Sequence, residues 1–366
     1  TISDPTGPTP EVQGTISGAL SDLSIFSELA NRRLSGSLDI NASGRATADL
    51  SDFDIDATVT GANVTTGIAE VDTALAGALS SEIIAARDGE AIQIETLRLS
   101  SDLVSLNAEG ALGPVGSAIT LDARLANVAS YVPGFSGAAT VAGTVTQATE
   151  ERLSLDLDAT GPGGAQASIL GDTALDGSDM ALGINGAAPL GLLNRFLEPR
   201  TLAGDVGFDL RLDGPPSLES LSGRITSGNA RLVAPALGVT LDDTNLNVTL
   251  ANANAIITAA TNVSTGGRLG IEGQIALTGQ RSADLDIRLV DVVLTDPQLY
   301  ETEISGTLTV DGPLAGGARI AGDLRLGVTN IRIPSSGFGG AGAIPEIIHI
   351  NEPPPVRRTR DRAGIL

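Results

Sequence analysis

The stretch LAGDVGFDLRLDGP, Leu202–Pro215, alternates without a break. Leu202, Gly204, Val206, Phe208, Leu210 and Leu212 fall on one side of an extended chain. Ala203, Asp205, Gly207, Asp209, Arg211 and Asp213 fall on the other. A period of two marks a strand with one shielded face. The phrase recurs as LSGSLDINASG (Leu34–Gly44), FSGAATVAGTV (Phe135–Val145) and ISGTLTVDGP (Ile304–Pro313). Each copy runs apolar residue, Ser or Ala, Gly, then alternation. Each places its glycine (Gly36, Gly137, Gly204 or Gly306) on the apolar side. A missing side chain there lets a sheet bend or leaves space above it.

Working outward, the same alternation sets Leu34, Leu38 and Ile40 against Ser35, Ser37 and Asp39. Phe135 and Val141 share a face, as do Ile304, Leu308 and Val310. Further apolar faces carry Ile119, Leu121, Ala123 and Leu125; Leu153, Leu155 and Leu157; Leu269, Ile271 and Ile275; and Leu285, Ile287 and Leu289. Clusters such as TGANV, ATGPGG, LDGPP, NVSTGG and VDGPLAGG separate the strands and read as turns. Strands follow one another without long helices, which predicts an all-β, elongated, mainly antiparallel sheet. Helical pattern is confined to short stretches: 22–33, 70–79 and 189–199. Two of them run directly into the repeated phrase. The motif glycines are 101, 67 and 102 residues apart, too irregular for a tight solenoid. The expected organisation is one continuous segment, 1–351, with approximate modules 1–130, 131–190, 191–297 and 298–351. The Pro/Arg-rich tail 352–366 reads as an extended or disordered segment, or as a linker.

Composition excludes several classes. The 366 residues carry a net charge of −22, and all 22 basic residues are arginine. Such a surface suits neither nucleic acid nor an anionic membrane face. Without cysteine there is no disulfide or thiolate chemistry. Aromatics are only 2% of the chain, so the apolar faces are built from Leu, Ile, Val and Ala. No run of 18 apolar residues spans a bilayer. The start has neither a signal-peptide pattern nor a methionine, and the chain reads as a segment of a longer protein.

No catalytic constellation emerges. Residues 337–342 match G-x-G-x-x-G, but Pro345 stands where a dinucleotide site needs a helix. Asp52, Asp54 and Asp56 share a strand face; calcium loops hold their ligands on a turn, so these read as a solvated face. Asp242-Asp243 reads as a turn. His349, the single histidine, forms neither a metal cluster nor a catalytic pair. No enzyme activity and no cofactor are implied.

The repeated phrase, the short helix before it and the closing Asp-Gly-Pro resemble the AsmA-like, TamB superfamily of bridge-like lipid transfer proteins. The resemblance extends over the whole chain and is strongest in 192–225, in 296–334 and in IPEIIHINEPPPVRRTR (344–360). It implies a trough-shaped sheet, the β-taco, with an apolar groove. The apolar residues above, with Leu324 and Leu326, would line it. It further implies a periplasmic segment of an inner-membrane-anchored protein, the anchor lying outside this chain. Phospholipid acyl chains are the implied cargo, and the implied partner is TamA, an outer-membrane protein of the Omp85 class. Two other readings stand beside it: a chaperone-like scaffold for outer-membrane protein assembly, and an extracellular adhesin of stacked sandwiches.

Overall fold

The computed structural model describes residues 2–3, 10–279, 281–296, 298–314, 316–332 and 352–363. The glycine-rich loop at 337–342 and His349 lie outside them. Strands dominate. In the first third they are β1 (Ile2–Ser3), β2 (Glu11–Leu20), β3 (Ser35–Thr47), β4 (Asp52–Thr65), β5 (Ala78–Asp88), β6 (Ala91–Ser100), β7 (Val104–Leu112) and β8 (Ala118–Leu125). There follow β9 (Ala139–Thr149), β10 (Arg152–Thr160), β11 (Gln166–Ala174), β12 (Met180–Pro189), β13 (Thr201–Ala203), β14 (Asp205–Gly214) and β15 (Leu221–Ala234). The last are β16 (Val239–Ala251), β17 (Asn254–Val263), β18 (Arg268–Ala276), β19 (Ser282–Asp296), β20 (Tyr300–Pro313) and β21 (Arg319–Ile331).

All 21 belong to one sheet, and every pairing is antiparallel. Strands pair in chain order. β13 and β14 are one strand interrupted at Gly204, and both pair with β15. The sheet does not close into a barrel. At about 4.8 Å per strand its contour measures roughly 90 Å along the hydrogen-bonding direction. A continuous meander of this kind is not a row of stacked sandwiches, so that architecture is set aside.

Strict alternation of direction sorts the connections onto two rims. One rim holds every short helical piece between the strands: Leu23–Phe26 with α1 (Ser27–Ala30), α2 (Ala69–Ala74), Val128–Ser130, Pro162–Gly164, Leu190–Leu193 with α3 (Asn194–Leu197), and Pro235–Leu237. The opposite rim has tight turns. Asp22 caps its helical turn by accepting from the Ser24 amide at 2.8 Å, and Asn31 ends α1 in the left-handed region.

Several expectations are corrected. TGANV is not a turn; it lies inside β4, where Asn63 takes φ 51° opposite Gly36. Asp242-Asp243 lies inside β16, where Asp243 has φ 51° beside a register shift. In both cases an Asx residue supplies the positive φ of a β-bulge rather than of a reversal. Phe135 and Gly137 precede β9 instead of opening it. Leu79 belongs to β5, because α2 ends at Ala74. The tail is not extended: α4 (Pro354–Ala363) is helical. Its prolines occupy the first turn, where no amide partner is needed, and Thr359 Oγ1 donates to the Pro355 carbonyl at 3.0 Å.

Candidate functional site: the apolar face and its helical rim

Register decides what the alternation builds. Starting from β3, Ile40 faces Val59, which faces Ser81, Leu99 and Leu106 in turn. The row continues through Ala123, Val141, Ala159, Ala167 and Gly186 to Phe208. It then crosses Ile225, Val248, Ile257, Gly273 and Leu285 to Val310, and ends at Ile320 on β21. Across nineteen aligned positions, counting Gly18 on β2, only Ser81 is polar. One residue over, the chain from Asp122 through Ala142, Asp158, Ser168 and Asn185 to Asp209 and Arg224 marks the opposite, polar face.

The two faces differ in exposure. From Ile40 to Val310 the apolar row is half-buried, while along β14 each Asp and Arg between apolar residues is exposed. Yet no side chain among the described residues is completely buried. The chain exposes 22745 Å², against about 14,000 Å² for a compact monomer of its mass. Shielding of the apolar face is therefore lateral, from neighbouring strands.

Two local cores anchor the helical rim. Leu23, Val64 and Leu79 are buried together, with Leu34 and Leu38 packed against them. Ala234, Val239, Val263 and Val292 form the second, joined by Leu269 and Leu289. Leu190 is buried beside α3. The rim pieces also hold each other. Tyr131 Oη donates to the Glu70 carbonyl at 2.9 Å, Ser101 Oγ donates to the Ala74 carbonyl at 2.5 Å, and the Phe135 and Phe196 rings lie 5.7 Å apart. Asp72 accepts from the Thr66 amide and hydroxyl; those bonds, the amide's first, hold its carboxyl below the usual aspartate range.

The four motif glycines have positive φ: 96° at Gly36, 131° at Gly137, 103° at Gly204 and 151° at Gly306. A Cβ on Gly306 would sit 2.1 Å from the Asp323 carbonyl oxygen, and one on Gly36 would sit 2.5 Å from that of Asn63. Only glycine fits such backbone approach.

Most of the expected apolar residues lie on this face. Leu121 and Leu157 flank Gly143; Leu155 faces Gly171; Leu210 faces Ile184; Leu212 faces Leu182; Leu153 faces Thr173. Val206 faces Ala188, Leu202 faces Leu232, Leu125 faces Ala139, Ile275 faces Ala255, Ile271 and Leu308 flank Ile287, and Ile304 faces Leu326. Two are exceptions at the helical rim: Phe135 precedes β9 and lies beside Phe196, and Leu34 precedes β3 and packs against Leu23, Val64 and Leu79. Leu324 and Leu326 belong to the face but are 47% and 67% exposed, because β21 has no outer neighbour among the described residues. The periodicity reading missed Val59, Leu99, Leu106, Ile225, Val248 and Ile257. β6 hides Leu99 because extra residues at its two register shifts, against β5 and against β7, reset its alternation.

Among the described residues no cluster of His, Cys, Asp or Glu could hold a metal ion, and no helix is long and apolar enough to cross a membrane. Asp52 of the acidic trio pairs with Arg45 at 2.9 Å. No known protein family, no curated protein and no solved structure matches the chain.

Proposed function

We infer that the chain is a segment of a periplasmic, bridge-like lipid carrier whose apolar face holds phospholipid acyl chains. The observation that carries this reading is the row from Ile40 to Val310: an apolar path interrupted only at Ser81, partly water-accessible, across almost the whole sheet. Each methylene removed from water there contributes about 0.8 kcal/mol, without any requirement for head-group recognition. Glycines on the apolar face favour curvature toward that face, which would turn it into a trough. The polar row on the other face keeps the outside wetted. The resemblance of the repeated phrase to the AsmA-like, TamB superfamily points the same way. It brings the further proposals of an inner-membrane anchor outside this chain and of the Omp85-class partner TamA.

Transfer of a labelled phospholipid between vesicles tests the reading. Leu308 and Thr307 are neighbours on opposite faces of β20. Leu308→Arg puts a charge among acyl chains and is expected to slow transfer about tenfold or more. Thr307→Arg, on the outer face, leaves it near wild type. Equal effects of the two substitutions, with both proteins folded, would sink the assignment.

A further inference from the structure

β21, the last strand among the described residues, is almost wholly exposed. Of its 13 residues only Ala321 is other than exposed, and Leu326 and Val328 are 67% and 78% accessible. Its inner edge pairs with β20; its outer edge has no partner among the described residues. Such an edge is normally guarded by charged side chains, lysine above all, by proline or by a bulge. The sequence RIAGDLRLGVTNI has no lysine or proline, its charges are of both signs, and its one bulge lies beyond Leu326, leaving the run from Arg319 to Leu326 regular. Asp323 and Arg325 face Thr307 and Ser305 across β20, and neither has an ion-pair partner among the described residues.

We propose that this edge pairs with the same edge of a second copy, extending the antiparallel sheet through a two-fold axis at Leu324. Charge selects that register. An axis at Asp323 sets that carboxylate against its own copy, and an axis at Arg325 does the same to the guanidinium. With the axis at Leu324, Asp323 faces the partner's Arg325 and Arg325 faces the partner's Asp323. Gly322 then faces the partner's Leu326 on the apolar face. Both arrangements already occur within the chain. Glu82 and Arg98 oppose one another across β5 and β6 and bond at 2.7 Å, and Gly306 opposes Leu324. A two-fold axis normal to the sheet keeps both apolar faces on one side, so the apolar row would run on into the second copy.

The inference does not depend on lipid carriage, and its test reads only mass. Sedimentation velocity at physiological ionic strength, where repulsion between two −22 chains is screened beyond about 8 Å, is expected to give a dimer. Asp323→Arg and Arg325→Asp each place like charges opposite one another and should weaken the dimer about tenfold or more. Mixing those two variants restores opposite charges at both positions and should return the dimer, as should the double exchange within one chain. All of these positions are exposed, so the substitutions leave the fold intact. A wild-type chain that stays monomeric overturns the proposal. Single variants that dimerise like the wild type overturn it equally.

Discussion

Gly306 shows how a single position constrains this sheet. Its φ of 151° and the 2.1 Å approach of the Asp323 carbonyl exclude any β-carbon. Gly306→Val should therefore cost roughly 2–5 kcal/mol, through backbone strain and overpacking together. Gly18 has nothing within 4 Å of the corresponding position, so Gly18→Ala should shift a denaturation midpoint very little. Comparable midpoints for the two variants would contradict this account. Asp72 makes a second residue-scale case. Hydrogen bonds from Thr66 depress its folded-state pKa, so its contribution to stability is present above the unfolded value of about 3.9. That contribution is lost as pH falls through the lower, folded value. Titration followed by NMR should give an Asp72 midpoint below 3.9; one at or above it would mean that the bonds do not form in solution.

At the scale of elements, the rim helices matter because two of the protein's few buried side chains, Leu23 and Leu190, come from them. Leu23 projects from a four-residue turn onto Val64 and Leu79. Leu23→Ala should cost about 2–4 kcal/mol in chemical denaturation, while leaving strands far from the rim paired. A loss well under 1 kcal/mol would show that the cluster does not anchor the turn. Regular strands were legible in the sequence: alternation over 202–213 and 304–311 lies within β13, β14 and β20. Bulges were not. Asn63 and Asp243 look like turn residues because the positive φ that suits a turn also suits a bulge, and only the partner strand decides between them. The tail helix was hidden for a similar reason, since Pro354 and Pro355 break a helix interior yet open a helix readily.

For the whole molecule, the central property is a register that keeps nineteen strand positions in line. Composition and periodicity made the apolar face readable on the most regular strands, such as β8, β10, β14, β18 and β20, and the motif glycines could be placed on it. Its continuity could not be read, because cross-strand alignment depends on turn lengths and bulges that leave no period in one sequence. Nor could the sorting of helices onto one rim be seen before strand direction was known. The most direct measurement is native mass spectrometry of the purified chain after incubation with phospholipid vesicles. The account predicts chains carrying bound phospholipid, retained in Thr307→Arg and largely lost in Leu308→Arg. Wild-type protein recovered at its bare mass, with no lipid taken up, would contradict it.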